Sequence, residues 1–161
     1  MANPWHELTT QGQSVWYDNL NRQLVVSGEL RRMVAEDNIT GGTSNPSIFE
    51  KAVGGSGVYD ADIRRLAGAG RDVDAIFDEL TVTDIQQCAD ILRPVYDATG
   101  GADGYVSLEV PPDLAYDTAA TTREAKRLFA TLDRPNAMIK IPGTAQGLPA
   151  VEECLAEGIN I

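Results

Sequence analysis

Short apolar segments alternate with helix-patterned segments along the whole chain, and this alternation restricts the fold more than any other feature. Residues 14–20 (SVWYDNL), 39–43 (ITGGT), 104–110 (GYVSLEV) and 137–141 (AMIKI) read as strands, and 159–161 (INI) as the start of a fifth. Between them, 27–38, 46–53, 58–69, 71–98, the segment after Thr121 and 147–157 carry helical periodicity. An order β-α-β-α-β-α-β-α-β with buried strands demands parallel pairing and right-handed crossovers. An open doubly wound sheet and a (β/α) barrel both satisfy it. No G-x-G-x-x-G follows the first strand and no G-x-x-x-x-G-K-[ST] occurs, so nucleotide-binding open sheets lose ground.

Local signals place the boundaries. Thr83 with Gln86, and Thr121 with Glu124, have capping-box spacing. Pro94 predicts a kink or an end to the regular helix over 71–98. The segment up to Gln13 is polar and reads as a cap on another element. Cys88 and Cys154 fall on apolar helix faces, without C-x-x-C spacing and with a single histidine, His6, in the chain. That pattern implies no metal site and two buried thiols in a reducing cytoplasm.

The 161 residues are enough for one domain, read as 1–161. A formal net charge of -11 excludes the cationic footprint of a nucleic-acid binder and disfavours anionic membranes. An anionic substrate would need a local cationic pocket. Met1 to His6 show neither a basic n-region nor an apolar h-region, and no run is long enough to span a bilayer, which implies a cytoplasmic protein.

Polar residues recur at the C-terminal ends of the strands. Asp18 ends the first, Thr43-Ser44-Asn45 ends the second, Glu109 nearly ends the third and Lys140 lies toward the end of the fourth. In a parallel barrel these ends converge on the face that carries active sites. Lys140 stands inside an apolar strand, and the other lysines are Lys51 and Lys126. Burial makes a charged ammonium costly, and a neutral amine attacks a ketone to form a Schiff base. A protonated imine withdraws electrons from the neighbouring carbon–carbon bond. Glu109 and Asp18 would supply the acid–base steps, and Asn45 would hold a sugar hydroxyl. This is class I aldol chemistry, with neither metal nor organic cofactor.

Each residue also has a structural reading. Lys140 would extend to the barrel mouth and pair with Glu109. Asp18 would cap a helix, TSNPS would form a turn, and Glu109 before Pro111-Pro112 would be a solvated strand end. GTAQG (143–147) suggests a phosphate loop but reads better as a strand-to-helix turn. Trp5, Trp16 and Tyr17 read as packing aromatics, and His6 lies too near the terminus for a base. Arg22, Arg31, Arg32, Arg64 and Arg65 read as solvated helix faces.

The segments VWYDNLNR, TSNPSIFEKA, YVSLEVPPDLAYDT and RPNAMIKIPGTAQGLPAVEECLAEGIN closely resemble bacterial transaldolase, in family order over essentially the whole chain. The resemblance implies a TIM-type (β/α)8 barrel, represented here by four βα units and the start of strand five. It implies Lys140 as the Schiff-base lysine, Asp18 as acid/base on a substrate hydroxyl, and Glu109 assisting imine formation through a water. Thr43 and Asn45 would bind and orient substrate. The implied reaction moves a dihydroxyacetone unit from a ketose phosphate to an aldose phosphate in the non-oxidative pentose phosphate pathway. The rivals are another Schiff-base sugar-phosphate aldolase and a non-catalytic half-barrel interaction module. A complete barrel is roughly twice this length, and the family's phosphate-binding serine and arginine fall beyond Ile161. Half a barrel also implies open sheet edges and self-association.

Overall fold

The computed structural model describes residues 3–161; Met1 and Ala2, where the reading for a leader begins, lie outside the described residues. Four strands form one parallel sheet: β1 (Trp16–Asp18), β2 (Gly41–Thr43), β3 (Val106–Glu109) and β4 (Ala137–Lys140). Their spatial order is β1-β2-β3-β4, the same as their order in sequence. A doubly wound sheet reverses direction at a switch point, whereas a (β/α)8 barrel adds each strand beside the last. The uninterrupted order therefore identifies four βα units of the barrel type.

Helices α1 (Pro4–Thr10), α2 (Arg22–Val26), α3 (Glu29–Glu36), α4 (Pro46–Gly55), α5 (Asp60–Gly68), α6 (Val73–Ala98), α7 (Thr118–Leu132) and α8 (Gly147–Ala156) complete the layer. The main core lies between sheet and helices, where Val106, Leu108, Ala137 and Ile139 meet Ile85, Leu92, Leu128 and Leu132. A second cluster, Tyr59, Leu66 and Leu80, joins α5 to α6.

Several boundaries differ from the sequence expectation. The N-terminal segment is itself helical, with Asn3 capping α1 and Pro4 at its first position. It does act as a cap: Asn3 Nδ2 donates to the Glu36 carbonyl at the end of α3. Asp72 caps α6 through the Ala75 amide and Asp117 caps α7 through the Ala120 amide, so Thr83 and Thr121 lie inside helices. An aspartate earlier in the chain captures the amides first, and Thr121 instead donates to the Leu114 carbonyl at 2.7 Å. Pro94 does not end α6. Asp90, the residue whose carbonyl loses its partner, is exposed, so water can satisfy it.

Residues 159–161 are not a regular strand. One backbone bond, from the Ile139 amide to the Asn160 carbonyl (2.8 Å), joins them to β4. The Asn160 side chain takes further acceptors itself, donating to Pro135 and Ala137 carbonyls at 3.0 Å. Trp5 is 44% exposed rather than packed, while Trp16 and Tyr17 are half-buried.

Trp16 shows why β2 contains a glycine pair. A side chain on Gly41 would enter the Trp16 indole, which lies across the neighbouring strand at the paired position. On the opposite face, a Cβ on Gly42 would come within 2.7 Å of Leu20 Cδ1. Both faces of β2 are thus filled from β1 and the turn that follows it. Gly41→Ala is expected to cost about 1–3 kcal/mol through overpacking. A denaturant midpoint equal to the parent's would contradict this packing.

Candidate active site

Parallel register assigns the functional side chains to one face of the sheet. Asp18 pairs with Thr43, Thr43 with Ser107, Ser107 with Met138, and Glu109 with Lys140. Side chains alternate along a strand, so Ser107 and Glu109 share a face, as do Met138 and Lys140. Asp18, Thr43, Glu109 and Lys140 therefore all project from the face opposite the main core, the side that forms the interior of a barrel.

Two short contacts organise them. Lys140 Nζ lies 2.8 Å from Glu109 Oε2, with the two side chains 40% and 21% exposed. Thr43 donates its hydroxyl to Asp18 Oδ1 at 2.5 Å. The sheet brings together Lys140 with Glu109, and Asp18 with Thr43. The two pairs stand side by side on this face, Thr43 and Glu109 belonging to the adjacent strands β2 and β3. Asn45 stands apart from both pairs, as the N-cap of α4, its Oδ1 accepting the Ile48 amide at 3.0 Å.

Lys140 is not sealed in apolar surroundings, contrary to the expectation from its strand. The apolar run buries Ala137 and Ile139 against the helices, but period-2 alternation turns Lys140 to the opposite, half-open face. Its ammonium is paired rather than simply desolvated.

A cavity of about 610 Å³ reaches Asn45 and Glu109 from the helix side of the sheet. Phe49, Phe77, Leu108 and Leu128 form its apolar lining, and Asp74, Asp78, Asp113 and Glu124 line it as well. Arg127, its cation, is already engaged by Asp78 and Glu124. Lys140, Asp18 and Thr43 do not line it, so Glu109 is the one member of the two pairs that this cavity reaches.

Arg22 is the residue sequence reasoning misplaced. It is 6% exposed, with Nε 2.6 Å from Asp84 Oδ1 and Nη1 2.5 Å from Asp62 Oδ2. Its guanidinium lies 4.6 Å from the Tyr59 ring centroid. Burial opposes its charge, but Asp84 and Asp62 outweigh that and hold its pKa above the ordinary value. Burial likewise pushes the Tyr59 phenol up, so it remains a donor to Asp84. The signal was faint: an arginine at the first position of a five-residue helix gives no periodicity to mark a buried face. Arg32, Arg64 and Arg65 do form exposed ion pairs.

Among the described residues, no cluster of three His, Cys, Asp or Glu side chains is placed to hold a metal ion. No described helix is long and apolar enough to cross a membrane. The family described as Transaldolase/Fructose-6-phosphate aldolase matches residues 15–161. "Transaldolase 2" of Nostoc punctiforme is 54% identical over 155 residues, covering 96% of this chain and 41% of that protein. "Transaldolase" of Trichodesmium erythraeum is 50% identical over 161 residues, covering 100% of this chain and 42% of the relative. "Transaldolase" of Thermobifida fusca is 48% identical over the same 161 residues, covering 44% of its own length. The chain thus spans less than half the length of these relatives. A parallel sheet in barrel order, a lysine–glutamate pair at adjacent strand ends, and a match from the first strand onward converge on one assignment: this chain belongs to the transaldolase/fructose-6-phosphate aldolase family.

Proposed function

We propose that the chain carries the imine-forming part of a transaldolase site, with Lys140 as nucleophile. The Lys140–Glu109 contact carries this reading, because an amine needs an adjacent base to become a nucleophile and a carboxylic acid to expel water afterwards. The neutral amine adds to the C2 carbonyl of fructose 6-phosphate or sedoheptulose 7-phosphate. Glu109, through a water, returns the proton that lets hydroxide leave as water, giving the protonated imine. Asp18 then takes the proton of the C4 hydroxyl as the C3–C4 bond breaks, and the bonding electrons move into the imine as an enamine. The aldose phosphate departs, and the enamine adds to glyceraldehyde 3-phosphate or erythrose 4-phosphate by the reverse steps.

Thr43 holds the Asp18 carboxylate by its hydrogen bond, and the Asn45 amide nitrogen, without a partner among the described residues, offers a donor to a substrate hydroxyl. The pathway would be the non-oxidative pentose phosphate route. Cytoplasmic location fits Cys88 and Cys154, both buried free thiols. Residues 1–161 act as one half-barrel domain in this reading.

The test compares the chain at the length of its relatives, continued with the remaining barrel sequence of one of them, against the 161 residues alone. The longer form is expected to transfer the dihydroxyacetone unit from fructose 6-phosphate to erythrose 4-phosphate in a coupled assay. The 161-residue form is expected to self-associate on size exclusion with negligible turnover. Its sheet ends at β1 and β4, and Trp16 and Met138 are half-buried on the interior face. Such edges and faces invite pairing with another chain. Inactivity of the longer form would reject the transaldolase reading. A monodisperse, active monomer of 161 residues would reject the self-association.

A further inference from the structure

The geometry points to Arg22 as a positioning residue for Asp18, acting through a buried clamp that includes Tyr59 and Asp84; this rests on the role proposed above for Asp18. Three residues, Asn19, Leu20 and Asn21, separate Asp18 from Arg22, and each of them takes part in a hydrogen bond. The Leu20 amide donates to the Thr43 carbonyl at 3.2 Å, the same residue whose hydroxyl holds Asp18. Asn21 Nδ2 donates to the Asn19 carbonyl at 2.9 Å, while its Oδ1 accepts the Leu24 amide and caps α2. The Arg22 amide donates to the Tyr59 hydroxyl at 3.0 Å, and that hydroxyl donates to Asp84 Oδ2 at 2.8 Å. The Arg22 guanidinium closes the ring on Asp84 Oδ1.

Two physical points favour positioning over general stabilisation. Helix α2 has five residues, too short to hold itself, so the turn after β1 takes its conformation from what anchors it. A buried ion pair is a poor source of stability, because desolvation offsets most of its attraction. Here Arg22 Nη2 also lacks a partner among the described residues, which adds to the cost. What the forked guanidinium supplies is direction: it fixes one register of α2 on α5 and α6, and with it the strand end that bears Asp18.

The experiment uses the family-length protein and its Arg22→Lys and Tyr59→Phe variants. Arg22→Lys keeps the charge and loses the fork; Tyr59→Phe loses one hydroxyl and tests the clamp should the first variant fold poorly. Turnover of fructose 6-phosphate with erythrose 4-phosphate is compared with the rate of borohydride trapping at Lys140. A displaced catalytic group costs on the order of 10²-fold, so turnover is expected to fall by about that factor for Arg22→Lys, and less for Tyr59→Phe. Trapping is expected to continue at the parental rate, because imine formation does not use Asp18. In an Asp18→Ala background, Arg22→Lys is expected to cost nothing further. Hydrogen exchange is expected to quicken at the Leu20 amide and not at the Val106 amide of β3. Parallel loss of turnover and trapping, unchanged turnover, or full additivity with Asp18→Ala would overturn the inference. If the parent neither traps nor turns over, the transaldolase reading fails separately, and unchanged Leu20 exchange in the variants would then overturn the clamp itself.

Discussion

Reduction of the family-length protein with borohydride in the presence of fructose 6-phosphate is expected to attach a stable mass adduct to Lys140. Lys140→Met is expected to remove both the adduct and the turnover. The expectation rests on the contrast among the lysines. Lys126 is held by Glu153 at 2.8 Å and Glu157 at 2.6 Å, and these carboxylates keep its pKa well above the ordinary lysine value. An ammonium stabilised in that way is a poor nucleophile. Lys51 is exposed on α4, away from any strand end. Lys140 alone stands at a strand end beside one carboxylate able to exchange a proton with it. Peptide mapping by mass spectrometry decides the matter: an adduct on Lys51 or Lys126 with Lys140 unmodified would remove the mechanism.

The two carboxylates are expected to fail at different steps. Asp18→Ala removes the proton acceptor for carbon–carbon cleavage, and such groups typically contribute about 10²–10⁴-fold to rate. Borohydride trapping should survive in that variant. Glu109→Ala removes the partner of Lys140, so it should slow formation and hydrolysis of the imine and depress trapping with turnover. Single-turnover kinetics with trapping at timed intervals would separate the two. Near-parental activity in both variants would return Asp18 to a turn residue held by Thr43, and Glu109 to a simple ion-pair partner.

The barrel class and the candidate positions were legible in the chain because both depend on local pattern. Alternation of apolar strands with amphipathic helices forces parallel pairing, and a polar residue at a strand end is visible from its neighbours alone. Helix starts were less legible, since capping depends on which side chain reaches the amides first. Asp72 and Asp117 precede the threonines whose spacing suggested the caps. Helices α1 and α2, seven and five residues long, carry too few turns to show a period. Pro94 signalled a break that solvent exposure made unnecessary.

Sequence order was enough to put Asp18, Thr43, Glu109 and Lys140 at strand ends, because period and punctuation are written in neighbouring residues. Which of them meet could come only from strand register. Trp16 opposite Gly41 and Glu109 opposite Lys140 are pairings between segments 25 or more positions apart, and no local signal encodes them. Burial of charge is also nonlocal. Lys140 lies in an apolar run and stays half-open, while Arg22 lies in a polar run and is enclosed by Tyr59 and Asp62 at the start of α5 and by Asp84 of α6. A residue's neighbours in the chain set its backbone, but its dielectric surroundings are set by whatever the fold brings against it.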